Sequence, residues 1–238
     1  EWRVASGRTL SITGIISGAG RSLTLGGAGA KTLSGVNTFG GAGQTVSVTA
    51  GQVTASNASS LGSSLNAVVV SADANLTVSA AITQTAISIS GDGFTGGTGY
   101  GAFTASNVLT SSQVITLGAT GTVLSVNVGN AAFSAPIVGT VTTATLNIVG
   151  SSTTSFTGLS TYTTSGGVRL QSLATDGTTA NTAAYYFGTA LAVTDSNAAG
   201  AANVGKGFGA LTNAVIIEPT AKLTYTPPAA GPSIGTAT

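Results

Sequence analysis

Apolar and polar residues alternate along most of this chain. At residues 9–15, Leu10 and Ile12 fall on one face, and at residues 44–49 Val46 and Val48 do the same. The alternation recurs at residues 75–79, 86–90, 123–128, 143–149, 168–173, 214–217 and 222–225. A period of two with many β-branched residues is the pattern of a half-buried β-strand. Clusters of Gly, Asn, Ser and Asp separate the strands, as at residues 26–29, 96–99 and 197–200. These residues tolerate the left-handed backbone that tight turns need. Helical signal is thin: the Ala-rich stretches 181–187 and 196–203 are expected as turns or a single helical turn.

A longer repeat lies over this pattern. Gly97-Thr98-Gly99-Tyr100-Gly101-Ala102-Phe103-Thr104 returns as Gly205-Lys206-Gly207-Phe208-Gly209-Ala210-Leu211-Thr212, 108 residues later. Short strands with one apolar face must bury it against something. Repetition points to a solenoid, in which each coil covers the next. At roughly 20–25 residues per coil the chain would make about ten coils, a rod about 50 Å long at strand spacing. Residues 1–225 are expected to form this single domain. The tail, 226–238, carries Pro227, Pro228 and Pro232 and reads as a linker or arm. The competing fold is a β-sandwich subunit joined by donated strands, with residues 1–16 or the C-terminal arm as the donor.

Composition narrows the chemistry. Of 238 residues only 5% are charged, against 42% hydrophobic, and net charge is +1. Between Lys31 and Arg169 there is no Lys, Arg or His, and the charged residues are Asp73 and Asp92 alone. The chain lacks Cys, His and Met. Disulfides, the usual zinc, copper and iron–sulfur ligands, and any Ser–His–Asp or Cys–His set are therefore excluded. The aliphatic content argues against disorder, and no apolar run is long enough for a membrane helix. Glu1-Trp2-Arg3 does not open a signal peptide.

Few residues remain as candidates for chemistry. Gly91-Asp92-Gly93-Phe94-Thr95-Gly96 fits G-x-G-x-x-G but lacks the helix and acidic partner of a dinucleotide site. Gly27-Ala28-Gly29-Ala30-Lys31-Thr32 mimics a phosphate loop, with Ala30 where a Gly belongs. Asp73 and Asp92 are 19 residues apart, as are Asp176 and Asp195, and one coil could bring each pair together. Paired carboxylates serve calcium binding or glycoside cleavage, but turn aspartates bonded to their own backbone are the simpler reading. Tyr185, Tyr186 and Phe187 could stack on sugars, or plug a core. Arg3, Arg8, Arg21 and Lys31 make one end basic, which could steer nucleic acid or lipid or simply solubilise that end. Asn57-Ala58-Ser59 and Asn75-Leu76-Thr77 are formal glycosylation acceptors.

One stretch carries a family resemblance. Trp2 to Leu10 leads to Ser17-Gly18-Ala19-Gly20, then Leu23-Thr24-Leu25-Gly26-Gly27, then Leu33-Ser34-Gly35-Val36-Asn37-Thr38-Phe39-Gly40-Gly41. Thr45-Val46, Ala50-Gly51-Gln52-Val53 and Ser60-Leu61-Gly62 follow. The series resembles the autotransporter-associated β-strand repeat of bacterial passenger domains, closely over residues 1–105 and in style to about 225. The resemblance implies a right-handed parallel β-helix displayed on a bacterial surface. Together with the missing catalytic residues, it leads to the expectation of a non-catalytic extracellular structural protein. Its copies would self-associate end to end into a homopolymeric fibre, filament or sheath. No catalytic residue, cofactor, metal, nucleic acid or membrane span is expected, and surface or glycan contacts are the expected partners beside other copies. The alternatives are a passenger-type adhesin segment and, third, a polysaccharide-active β-helix enzyme.

Overall fold

The computed structural model describes residues 1–94, 101–105, 112–118 and 135–139, and beyond these the backbone of the strands named below. It is all-β, a parallel β-solenoid of stacked coils, with no helix among the described residues. The first wall holds seven strands: β1 (Trp2–Arg3), β3 (Leu23–Gly26), β5 (Thr45–Val48), β7 (Ala67–Val70), β9 (Ala86–Ile89), β11 (Val114–Leu117) and β14 (Ile137–Val138). The second holds nine: β2 (Thr9–Ile12), β4 (Ala30–Leu33), β6 (Gly51–Ala55), β8 (Ala74–Val78), β10 (Phe103–Ala105), β12 (Val123–Val128), β16 (Thr145–Gly150), β19 (Val168–Ser172) and β21 (Val215–Ile217). A smaller sheet stacks β13 (Ala132–Phe133), β17 (Thr154–Phe156), β20 (Ala183–Phe187) and β22 (Ala221–Tyr225), and β15 (Thr140–Val141) pairs with β18 (Thr163–Thr164).

Alternation becomes packing through register. On the first wall Leu25, Val48, Val70, Ile89 and Leu117 pair in one column, and Leu23, Val46, Val68, Ile87 and Ile115 in the next. On the second wall the column is Leu33, Ala55, Val78 and Ala105. Most of these side chains are sealed from solvent and form one continuous core, closed on its third side by Phe39, Leu61 and Ile82. The polar backbone of each inner strand bonds to the coils above and below, so a chain with few charges still satisfies its interior. Truncating a sealed residue such as Leu25 to Ala costs about 3 kcal/mol.

The first coil differs. Strands β1 and β2 have a neighbour on one side only, β3 and β4 respectively. Accordingly β4 alternates half-buried and buried, while β2 alternates exposed and half-buried. Trp2, Ile12 and Ile16 pack on the core and stay partly open.

Three expectations change. The strand expected over 9–15 stops at Ile12, because the chain turns a corner there: Ser34 N–H closes on Ile12 O at 3.0 Å, and a Cβ on Gly35 would strike the Gly14 carbonyl. The stretch 181–187 is not a helical turn; Ala183–Phe187 is a strand, paired with Thr154–Phe156 and Ala221–Tyr225. Aromatic strand propensity and two ladder partners outweigh the alanines. The stretch 196–203 lies outside the described residues, as do the tail 226–238 and the repeat copy at 205–212. The described part of the solenoid amounts to about five turns. Early register steps are close to one coil, as from Leu25 to Val48, but later ones lengthen, as from Leu170 to Ile217. Residues 1–16 are not a donated strand: β1 and β2 pair parallel and in register with β3 and β4.

Candidate functional site

The most unusual group in the interior is Lys31. Strand parity sends Ala30 and Thr32 outward and residue 31 inward, into the column Leu10, Lys31, Val53, Leu76, Phe103. Lys31 is only 1% exposed. Its Nζ donates to Gly27 O at 2.6 Å, Gly29 O at 3.1 Å and Ala50 O at 2.9 Å. An ammonium has three N–H donors, and these three carbonyls use them all. Burial holds the amine below its ordinary pKa. The neighbouring corner needs glycine: Gly51 has φ +72°, and a Cβ there would strike Gly27 O and sit 2.6 Å from Gly29 O. This overturns the likeness to a phosphate loop. The turn offers carbonyl oxygens to a cation, whereas a phosphate needs N–H groups.

A set of buried amides sews the coils together. Asn37 Oδ1 accepts from Ile16 N–H at 2.8 Å, while its Nδ2 donates to Ser60 O at 2.6 Å, so one side chain spans three coils. Asn66 Oδ1 accepts from Gly41 N–H, and its Nδ2 donates to Leu61 O and Phe39 O. Gln84 Nε2 donates to Gly62 O and Ser63 O, and Gln113 Nε2 to Ile82 O. Gln84 Oε1 is buried with no hydrogen-bond partner. Asn75 donates to Gly101 O at 2.6 Å and to Thr104 Oγ1 at 3.1 Å, which removes it as a glycosylation acceptor. In Asn57, the other such residue, Oδ1 accepts from Ser59 N–H, closing a local turn. Of these amides only Asn37 belongs to the strand-repeat motif. Asn66, Gln84 and Gln113 were missed, because a lone amide in a turn gives no sign of which way it points.

The sequence candidates for chemistry do not converge. Val70 pairs with Ile89, and a Cβ on Gly91 would lie 2.5 Å from Ala72 Cα, so the turns bearing Asp73 and Asp92 stack on neighbouring coils. Both aspartates are exposed, and among the described residues no three acidic or histidine side chains gather for a metal. Asp176 and Asp195 lie outside the described residues. Gly91 and Gly93 have positive φ, and Gly93 bridges to Gly101 within the corner between β9 and β10; the last two residues of the G-x-G-x-x-G stretch lie outside the described residues. Phe103 of the longer repeat is fully buried in β10. Tyr185, Tyr186 and Phe187 stand in β20, in register with Leu223, Thr224 and Tyr225. The basic end is weaker than its composition: Lys31 is turned inside, and Arg3 is paired with Glu1 at 2.9 Å. Arg8 and Arg21 remain exposed.

Among the described residues, the large apolar side chains left exposed are Ile15, Val36, Leu65 and Val69, at 71%, 55%, 65% and 38%. Comparison of the chain with family models, curated proteins and solved structures finds no match to any of them.

Proposed function

We propose that this chain is a non-catalytic structural unit of an extracellular bacterial surface fibre, filament or sheath, built by end-to-end stacking of copies. The observation that carries the reading is the stacking itself: successive coils pair in register on both walls and share one continuous apolar core. A solenoid whose coils join by parallel strand pairing can extend by the same pairing between copies. The walls carry few charges to repel a second copy. The resemblance of residues 1–105 to the autotransporter-associated strand repeat supports a place on a bacterial surface.

The test is sedimentation of the purified chain over a range of concentrations, with negative-stain images of the same samples. Filaments, or a sedimentation coefficient that climbs with concentration, are expected. A chain that stays monomeric at high concentration and forms no filaments overturns the reading, and binding of that monomer to cell surfaces would favour an adhesin segment instead.

A further inference from the structure

The second wall presents a regular net of hydroxyls to solvent. A Ser or Thr stands on each side of the last residue of β2, β4, β6 and β8, the second one just beyond the strand end: Ser11 and Thr13 about Ile12, Thr32 and Ser34 about Leu33, Thr54 and Ser56 about Ala55, Thr77 and Ser79 about Val78. Register aligns the first members in one file, Ser11, Thr32, Thr54, Thr77 and Thr104. The second members continue the ladder: the N–H groups of Ser34, Ser56 and Ser79 bond to Ile12 O, Leu33 O and Ala55 O, each at 3.0 Å. Their hydroxyls repeat one geometry, with Oγ donating to the same three carbonyls at 3.3, 3.3 and 3.5 Å. All nine side chains of the two files are exposed or half-buried.

This gives two files of hydroxyls side by side. Hydroxyls recur about every 4.8 Å along each file, the spacing of neighbouring strands. The hydroxyls of Ser34, Ser56 and Ser79 are oriented in advance, so little rotamer entropy is lost there when a partner binds.

The chemistry of the wall selects the partner. Among strands β2, β4, β6, β8 and β10 the single charged residue is Lys31, and it points into the core with every N–H used. The single aromatic of those strands, Phe103, is also buried. Without charge the wall has nothing for phosphate, metal or mineral; without an aromatic platform it has nothing to stack on a sugar ring. It offers neutral hydroxyls and threonine methyls on a fixed grid, and a solid whose surface is itself a grid of hydroxyl-like oxygens matches it. The first wall is a built-in contrast. Its outward file runs Thr24, Ser47, Val69, Ser88, Thr116, and the next Thr45, Ala67, Ala86, Val114, so hydroxyls there are interrupted.

We infer that the second wall is an ice-binding face, on which the two hydroxyl files order water into register with the surface of an ice crystal. The inference is independent of whether copies stack.

The test is partition of the purified chain into a slowly grown ice hemisphere, with inhibition of ice recrystallisation read on the same samples. The chain should be enriched in the ice and should slow crystal coarsening. Thr54→Tyr, which places a bulky ring in the middle of the first file, should lose both effects with unchanged circular dichroism. Ser47→Tyr, the same change on the first wall, should keep them. Exclusion of the unaltered chain from ice overturns the inference. So does loss of both effects in Ser47→Tyr, or their retention in a folded Thr54→Tyr. Should Thr54→Tyr fail to fold, Ser56→Tyr at the exposed second file carries the same comparison.

Discussion

The Nζ of Lys31 donates to the carbonyl of Ala50 across 2.9 Å, from one coil to the next, inside a wall whose other inward side chains in that column are apolar. The ammonium closes a corner in which three carbonyls would otherwise lack a partner. Lys31→Met keeps the length of the side chain and removes the donors. It should destabilise the chain by about 3 kcal/mol, the order expected when a charged donor is removed and buried acceptors are orphaned. A shift of the urea midpoint measures it, and a midpoint unchanged from the parent would show that the cradle contributes nothing.

The same residue gives the fold a pH signature. Burial holds the folded amine below the ordinary value of 10.5. Between the lowered value and 10.5 the unfolded chain therefore carries the extra proton. Stability rises with pH wherever the unfolded state binds more protons. The contribution from Lys31 should thus increase through the alkaline range up to 10.5 and fall away as pH drops toward the folded value. Urea midpoints collected against pH for the parent and for Lys31→Met isolate it; parallel curves would contradict it.

Two glycines with similar backbone separate strain from clash. Gly43 has φ +75° and open space where a Cβ would stand, with nothing within 4 Å, while Gly51, at φ +72°, faces Gly27 O and Gly29 O. Gly43→Ala should cost about 1 kcal/mol, the left-handed penalty alone. Gly51→Ala should cost at least about 2 kcal/mol more, because backbone rather than a flexible side chain must move. Thermal melts of the two variants rank them, and equal melting temperatures would refute the crowding at Gly51.

Asn37 joins three coils through an acceptor and a donor. Asn37→Ala leaves Ile16 N–H and Ser60 O unpaired and should cost about 3 kcal/mol. Asn37→Asp retains the shape but sets a carboxylate oxygen against Ser60 O. The introduced carboxyl can donate only when protonated, so this variant should regain stability on acidification relative to the parent. Denaturant midpoints at neutral and acid pH decide it, since a purely steric defect would not respond.

Limited trypsin digestion reads the burial of Lys31 directly. Arg8 and Arg21 are exposed, Lys31 is sealed, and no further cation occurs before Arg169. The resistant product of the folded chain should begin at Thr9 or Ser22. A product beginning at Thr32 would mean that the second coil opens locally on the timescale of cleavage.

Much of this architecture was legible in the chain. The alternation at 44–49 and 86–90 became β5 and β9, and the solenoid follows from repetition without charge. Other strands of the same length were not read in advance: β3 and β4 sit among glycines that look like continuous turn, and β7 is a run of valines with no polar interruption. Lys31 looked like part of a basic end because charge is normally spent on solvent. Its inward direction depends on which strand residue aligns with Leu10 and Val53, a matter of register between coils.

The sequence by itself determined the period-two faces, the glycine corners, the neutrality of the walls and the absence of thiol, imidazole and disulfide chemistry. These are properties of residue type and local spacing. Only the tertiary structure decided that Asn37 reaches Ile16 and Ser60, that Lys31 meets three carbonyls, and that Thr32, Thr54 and Thr77 stand in one file. Apart from the local bonds of Lys31 to Gly27 and Gly29, each of those pairings joins residues about one coil apart, and their alignment is set by corner lengths that vary from coil to coil. Small side chains permit many such alignments; burial of the Leu, Val and Ile columns selects one.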